Sequence, residues 1–328
     1  GTVGIRDDGD IQIDVGSVAG PISVNTTGGT AENGGSITFR PMNPGDTNFT
    51  LHLGELIASG GAGDWNNDGG HGGDIEAQAP TIVLHDSLTS LGGGATRNWH
   101  DDGESGTVML TGAVELAEPV TVDLSPTEDL QANPPEGAGN FTLIGTLDST
   151  AGGAQDFTVS ATDIFLSQAI GATQALGTVV FNTYGKVTLG GDALPTTAGM
   201  TINGQTDSNE LQAPNTSSLW TLTNSGAGSV APDSEGTGGT VSFTGIETLR
   251  AGNSTNRFEV DLATGAPDNI AFSLFGGTGE DTLVGGDVTN TWDLGAEETL
   301  NDNLSFEGIE TLIGGGQTDT FEVSDGTT

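Results

Sequence analysis

The 328-residue sequence has no cysteine, a single Tyr, and only 6 Lys and Arg against 45 Asp and Glu. Without cysteine, disulfide cross-links and thiol nucleophiles are excluded. The formal net charge of -39 excludes a nucleic-acid-binding class, because such proteins need a basic surface. Hydrophobic residues make up 33% of the chain, which is low for a globular protein of this size. This composition favours a thin core that runs along the chain over one thick core.

Helical periodicity and long apolar runs are also missing. No stretch of ten or more residues has a convincing helical pattern, and none is apolar enough to span a membrane. The apolar residues instead form short β-branched segments that mostly alternate and are bounded by Gly, Asn, Asp or Ser. Six of these segments are Ile11–Val15, Ile22–Val24, Thr81–Leu84, Val120–Leu124, Thr178–Phe181 and Val187–Leu189. The sequence therefore predicts an all-β chain.

Pairs of small residues stand just before several predicted strands. They are Gly34-Gly35, Gly72-Gly73, Ser105-Gly106 and Gly238-Gly239, and in each case one residue separates the pair from an Ile or Val. Glycine accepts the backbone angles of a tight corner that other residues resist. Short spacings between strands and few hairpin-type Asn-Gly or Asp-Gly turns favour a parallel coil over a sandwich. We therefore expect one parallel β-helix (β-solenoid), continuous as an elongated rod.

The C-terminal part of the sequence contains a repeat. Residues 243–260 (FTGIETLRAGNSTNRFEV) correspond to residues 306–323 (FEGIETLIGGGQTDTFEV). Residues before this segment also recur, but at a longer spacing: Gly204, Thr206, Leu211 and Trp220 correspond to Gly276, Thr278, Leu283 and Trp292. The first copy therefore carries about nine extra residues, which we place in a loop within 224–239. We predict a Gly-rich β-helix with loop insertions over 1–195 and two solenoid repeats over 196–328, continuous with it.

These patterns carry a resemblance. The G-G-x-I/V-T-F/L corners and residues 141–191 resemble the right-handed parallel β-helix of filamentous-haemagglutinin-type bacterial exoproteins. The GIETL unit, with its glycines and F-x-V segment, is similar to repeats of giant bacterial surface adhesins. The resemblance implies a secreted, fibrous or adhesive role outside the cell or at its surface. Since the ends of such a coil are uncapped, we expect another copy, or more of the same chain, to continue the stack.

One segment of the second copy resembles a metal-binding motif. Residues 276–284 (GGTGEDTLV) match the RTX-type calcium nonapeptide G-G-x-G-x-D-x-U-x. Glycines there let carbonyls turn toward the ion, and Asp supplies a hard carboxylate. Neighbouring turns lose these ligands, since Asn290 replaces the Asp in the next nonapeptide and Asn209 replaces it in the first copy. Bound Ca²⁺ and a metal-free structural turn are both hypotheses. The candidate ligands are Gly277, Gly279, Asp281, Asp287 and Asp319.

Two similar loops, 64–68 and 98–102, supply the second candidate site. Its residues are Trp65, His71, Trp99, His100 and Asp102. Aromatic rings stack on sugars, and His and Asp bind transition metals, so the loops predict a glycan or metal site. The alternative is a solvated loop whose Trp residues cap the edge of the core.

An enzyme is the remaining alternative, because right-handed β-helices include polysaccharide lyases and hydrolases. With 45 acidic residues some pair of carboxylates is close in any fold, so such a pair is uninformative. Lyases of acidic sugars usually use Arg or Lys as a base or to bind the charge of the sugar. The six Lys and Arg residues of this chain are scattered along the sequence. No G-x-S-x-G turn is present. We therefore predict no catalysis and a structural segment of an extracellular filament or adhesin that associates with itself. A glycan- or calcium-binding module is the alternative, and no membrane insertion is expected within the segment.

Overall fold

The structure is a computed structural model that describes residues 3–6, 9–16, 20–43, 45–64, 67–94, 102–126, 137–191, 194–206, 208–232, 238–262, 270–295 and 297–323. These residues form β-strands and no helix, and the strands pair mostly in parallel, which confirms the all-β prediction. In the same residues no helix has the length and hydropathy needed to cross a membrane. The chain divides into two compact units, Gly1–Tyr184 with Thr196–Ala198, and Gly185–Pro195 with Gly199–Thr328.

The first unit is built from parallel ladders. Its strands are β1 (Val3–Arg6), β2 (Ile11–Val15), β3 (Ile22–Asn25), β4 (Ile37–Pro41), β5 (Thr50–Ile57), β6 (Ile75–Leu84), β7 (Leu88–Thr89), β8 (Val108–Leu116), β9 (Val120–Asp123), β10 (Phe141–Ile144), β11 (Leu147–Ser149), β12 (Phe157–Ala161), β13 (Ile164–Leu166) and β14 (Leu176–Thr183). One ladder runs β2–β4–β6–β8–β10–β13, and another runs β1–β3–β5–β7–β9–β12–β14. The pairing of each strand with one further along the chain is consistent with a β-solenoid.

The register of these ladders stacks like residues into buried columns. Ile37 pairs with Ile75, Ile75 with Val108, and Val108 with Phe141, and all four are at most 1% exposed. Successive residues of each strand point to opposite faces, so the intervening polar residues face outward. Stacked apolar columns of this kind therefore form the buried core of the described strands.

The predicted glycine corners lie against one another. A side chain at Gly73 would meet the carbonyl of Gly35, and one at Gly106 would overlap the carbonyl of Gly73. The strands β4, β6 and β8 begin two residues after these corners. These glycines are therefore required because successive backbones approach too closely for a Cβ atom, and not because of special backbone angles, since none of the three has a positive φ.

Strands of the second unit follow the sequence repeat. They are β15 (Lys186–Leu189), β16 (Thr197–Gly204), β17 (Glu210–Gln212), β18 (Ser218–Asn224), β19 (Ala227–Pro232), β20 (Val241–Thr244), β21 (Thr248–Arg250), β22 (Asn256–Val260), β23 (Phe272–Phe275), β24 (Thr282–Val284), β25 (Asn290–Leu294), β26 (Glu298–Leu300), β27 (Leu304–Glu307), β28 (Thr311–Ile313) and β29 (Asp319–Glu322). The seven strands β16–β22 have the same pairings as β23–β29. In each copy the first three strands pair in parallel with the last three.

The loop predicted within 224–239 is partly wrong. Residues Ala227–Pro232 form β19, which pairs antiparallel with both β18 and β20. Its counterpart β26 is shorter and pairs antiparallel with β25 and β27. Gly226, with φ +66°, makes the turn between β18 and β19. Part of the extra length therefore lies in the longer strand β19, which the sequence did not indicate because no hairpin-type Asn-Gly or Asp-Gly precedes it.

Candidate functional site at the polar corners

The GIETL glutamate of each repeat binds a polar corner residue of the preceding coil. Glu310 accepts the backbone N–H of Asp281 at 2.8 Å, and the Asp281 carbonyl accepts the N–H groups of Glu310 and Thr311. In the first copy Glu247 holds the backbone of Asn209 in the same way, also at 2.8 Å. This reciprocal set of hydrogen bonds gives the repeated glutamate a structural role.

The two corners differ in the chemistry of one atom. The Asn209 Nδ2 atom donates to the carbonyls of Thr206 at 2.5 Å and Gly245 at 2.9 Å. A Cβ atom placed on Gly204 would lie 2.5 Å from that nitrogen and against the Gly245 carbonyl. In the second copy a Cβ atom on Gly276 would lie 2.7 Å from Asp281 Oδ2 and against the Gly308 carbonyl. Asp281 Oδ2 therefore takes the place of the Asn209 amide nitrogen.

That replacement leaves a buried acceptor without a donor. Asp281 is fully buried, and its Oδ2 atom has no hydrogen-bond partner within the described structure. The other oxygen, Oδ1, accepts both the backbone N–H of Asn256 at 2.7 Å and its side-chain amide at 3.0 Å. A buried polar atom without a partner is costly, so either a proton or a cation at Oδ2 would stabilise this corner.

Burial raises the pKa of the Asp281 carboxyl above its ordinary value. The hydrogen bonds donated by Asn256 oppose the shift, the Gly279 backbone N–H adds a smaller opposing effect, and the nearby Glu310 carboxylate adds to the shift. The net direction is upward because desolvation penalises the charged form more than these donors stabilise it.

A buried hydrogen-bond relay ends at the same carboxylate. The Trp220 indole N–H donates to Ser218 Oγ at 2.9 Å, and the Ser218 hydroxyl donates to Asn256 Oδ1 at 2.7 Å. The Asn256 amide then donates to Asp281 Oδ1, which links three successive coils. In the second copy Asn290 stands at the Ser218 position, and the buried Trp292 N–H has no hydrogen-bond partner in the described structure. Inward-facing polar side chains thus tie the coils together beside an apolar core.

The predicted metal ligands fit calcium in kind but are not gathered at one point. Oxygen donors such as the Asp281 carboxylate and neighbouring glycine carbonyls suit Ca²⁺. Asp287 instead accepts the N–H of Gly316 at 2.9 Å, and Asp319 accepts the Asn290 amide at 2.6 Å. Within the described residues no group of three or more His, Cys, Asp or Glu could hold a metal ion.

The two predicted glycine ligands lie in the same close packing between coils. Gly277 has φ +103°, and a Cβ atom on it would lie 2.7 Å from the Gly252 carbonyl. A Cβ atom on Gly279 would overlap the Ser254 carbonyl. Coil stacking therefore requires glycine at both positions of the second copy, whether or not an ion is bound.

Of the predicted ligand-binding loops, Trp65, Trp99 and His100 lie outside the described residues. The exposed His71 bridges coils, since its N–H donates to Asn33 Oδ1 at 2.8 Å and its Nδ1 accepts the N–H of Glu104 at 3.0 Å. Asp102, which precedes Glu104 by two residues, is half-buried. Glycine N–H groups link this region across coils, from Gly103 to Gly93, then Gly70, Gly61 and Glu32.

A ladder of two ion pairs and one cation–π contact lies on the second unit. Glu210 binds Lys186 at 2.7 Å and Arg250 at 3.0 Å, and the Arg250 guanidinium lies 3.8 Å from the centre of the Phe275 ring. Burial pushes the pKa of Glu210 upward, but the two cations outweigh it and the net shift is downward. These contacts join four successive strands, β15, β17, β21 and β23, on the outer face.

Sequence reasoning found Asp281 but missed its partners. The sequence assigns no role to Asn256, Ser218 or Glu310, and the signal that could have found them is a polar residue that recurs at a fixed distance from buried apolar residues. Comparison of the chain with protein-family models, with curated proteins and with solved structures gives no match. The candidate site is therefore defined by its geometry alone.

Proposed function

We propose that the chain is a structural segment of an extracellular bacterial filament or surface adhesin, folded as a right-handed β-solenoid and associating end to end. The proposal rests on the exposure of apolar side chains in the last described coil. Phe321 and Val323 are 46% and 80% exposed, whereas their first-copy counterparts Phe258 and Val260 are 0% and 8% exposed. Phe258 is covered because the next coil places Leu283 in register with it. A further coil would cover Phe321 in the same way.

The partner edge is best supplied by the other end of a second copy. In the described structure β2 pairs only with β4, and its Ile11 and Ile13 are half-exposed. Full burial of an aromatic or aliphatic side chain is worth about 1.5–3 kcal/mol, and unpaired strand edges add backbone hydrogen bonds. The net charge of -39 opposes association, so assembly should be favoured by salt. The role is mechanical, and no catalysis is proposed.

Electron microscopy and sedimentation velocity of the whole chain in high salt test the proposal. The wild type should form linear assemblies, and the double variant Phe321→Glu, Val323→Glu should stay monomeric with an unchanged circular dichroism spectrum. The matched control is Ile144→Glu, Phe165→Glu, which changes residues that are 46% and 42% exposed on β10 and β13. This control should assemble like the wild type. A monomeric wild type, or assembly of the end variant, would overturn the proposal.

A second candidate function, calcium binding, is favoured by the unpartnered Oδ2 atom of Asp281. A bound Ca²⁺ would satisfy that atom and shift unfolding to higher temperature by mass action. The thermal midpoint of the wild type should then rise between chelator and millimolar Ca²⁺, while that of Asp281→Asn should not. Equal responses of the two proteins would remove this candidate. The glycan alternative depends on Trp65 and Trp99 and stays a prediction.

A further inference from the structure

Two of the four histidines of the chain, His52 and His85, meet on adjacent strands of the first unit. His52 is on β5, and His85 directly follows β6, which pairs with β5 through Leu84 and Leu53. The backbone N–H of His85 donates to the Leu53 carbonyl at 2.8 Å. Both imidazoles are half-buried. The strand pairing therefore fixes the positions of the two rings relative to each other.

The two rings face each other through one nitrogen each. His52 Nδ1 lies 3.0 Å from His85 Nε2, and the ring centres are 5.2 Å apart. This is the geometry of an N–H···N hydrogen bond, in which one nitrogen donates its proton to the lone pair of the other. A neutral imidazole has one donor and one acceptor, whereas an imidazolium has two donors. The contact therefore requires that at least one ring is neutral.

Added protons affect this contact in two steps. A first added proton is shared, because the charged ring donates to the lone pair of the neutral ring. A second added proton leaves two donors and two positive charges 3.0 Å apart, so the hydrogen bond is lost and the rings repel each other. Histidine changes its charge close to neutral pH, so this sequence of events begins on mild acidification.

We propose that the His52–His85 pair is an acid-sensitive clasp that holds the β5–β6 ladder closed at neutral pH and opens it on acidification. The effect is local, because the backbone hydrogen bond from His85 to Leu53 lies directly beside the two rings. Repulsion between two imidazolium rings would separate these residues and weaken that backbone bond. All four histidines precede residue 185, so the clasp belongs to the first unit.

Glu115, on β8, is the acidic side chain that acts on His52. It is aligned with His52 through Val83, and its negative charge favours the protonated ring. Strands β3 and β7, which also pair with β5, carry no charged residue. Glu76, at the far end of β6, pairs with Arg40. Three other acidic residues on or next to these strands are exposed to solvent, which screens their charge: Glu55, Asp86 and Glu118.

The balance of these effects favours the neutral form of His52. Burial lowers the pKa of its imidazole, the neighbouring His85 lowers it further, and Glu115 opposes the shift without reversing it. The stabilisation by neutral His52 is therefore fully present above the unfolded pKa of about 6.5, and it is lost as the pH falls through the folded pKa. This direction is opposite to that of Asp281 in the second unit, whose raised pKa favours the fold at low pH.

Nuclear magnetic resonance of the whole chain with ¹⁵N-labelled histidine tests the hydrogen bond directly. In slightly alkaline solution the wild type should show a scalar coupling between His52 Nδ1 and His85 Nε2 through the shared proton, and His52→Gln should lack it. On acidification His52 should bind a proton at a lower pH than free histidine does, and the coupling should disappear in that step. Absence of the coupling in alkaline solution would overturn the proposal.

Hydrogen exchange of residues 50–57 and 75–85, measured by mass spectrometry, tests the opening of the ladder. In the wild type the exchange protection of both segments should fall on acidification, by about ten-fold for each pKa unit that separates His52 from an unfolded histidine. His52→Gln keeps a polar side chain but does not titrate, so its protection should not depend on pH. His71→Gln is the matched control and should respond like the wild type, because His71 is exposed and water replaces its contacts.

Equal pH dependence of the protection in wild type and His52→Gln would show that the pair does not control the ladder, and the proposal would fall. If His52→Gln does not fold, His85→Gln removes the other ring and decides the outcome by the same measurement.

Discussion

The Nδ2 nitrogen of Asn209 and the Oδ2 oxygen of Asp281 occupy equivalent positions in the two repeats, each beside a glycine and a backbone carbonyl. The first atom donates hydrogen bonds, and the second has no partner. The two corners have equivalent glutamates and equivalent strand pairings, and they differ in the chemistry of this one side-chain atom.

Exchange of the two corner residues should change stability in opposite directions. In chelator at pH 7, Asp281→Asn restores the missing donor and should raise the free energy of unfolding by about 1–3 kcal/mol. The matched change Asn209→Asp should lower it by a similar amount, because it removes the donor to the Thr206 and Gly245 carbonyls. Urea unfolding measures both. A destabilised Asp281→Asn protein in chelator would contradict this account of the corner.

Stability should depend on pH through Asp281. Its pKa in the folded state is raised above that of an unfolded Asp, which is about 3.9. The neutral acid therefore stabilises the fold at low pH, and this contribution is lost as the pH rises through the folded-state pKa. The stability difference between Asp281→Asn and wild type in chelator should accordingly grow from acidic to neutral pH. A difference independent of pH would mean that the group does not titrate in this range.

The buried relay should be sensitive to loss of its central hydroxyl. Ser218→Ala leaves the Trp220 indole N–H and the Asn256 side-chain oxygen Oδ1 without partners in the core. We expect the free energy of unfolding to fall by about 1–3 kcal/mol. Ser242→Ala on the exposed face of β20 should change stability by less than about 0.5 kcal/mol. Urea unfolding compares the two. Similar small effects would show that the relay is energetically unimportant.

Glycine is required at the corners for space. Gly276→Ala would drive a methyl group against the Gly308 carbonyl and to 2.7 Å from Asp281 Oδ2, so the coils must separate locally. We expect the free energy of unfolding to fall by about 1–3 kcal/mol or more, as at other overpacked sites. Gly199→Ala is the control, because nothing lies within 4 Å of its added Cβ atom. Thermal unfolding of the two variants should differ clearly, and equal midpoints would contradict the close packing.

Much of the fold was predictable because its signal is local. Alternation of apolar and polar residues gave the strands, and glycine pairs gave the corners before β4, β6 and β8. The antiparallel β19 was not predictable from turn residues, since Gly226 alone marks its hairpin. For the site, the nonapeptide pointed to Asp281. Its isolation from Asp287 and Asp319, and its contact with Glu310, depend on which coils become neighbours.

The sequence by itself determined an acidic, all-β chain with a two-copy repeat, because composition, alternation and spacing are properties of the residues in order. Only the tertiary structure decided what the repeated residues do. Stacking brings Glu310 onto the backbone of Asp281, His85 to within 3.0 Å of His52, and Lys186 and Arg250 onto one carboxylate. These partners are distant along the chain, and their pairing depends on the register between coils, which is set by the buried apolar columns.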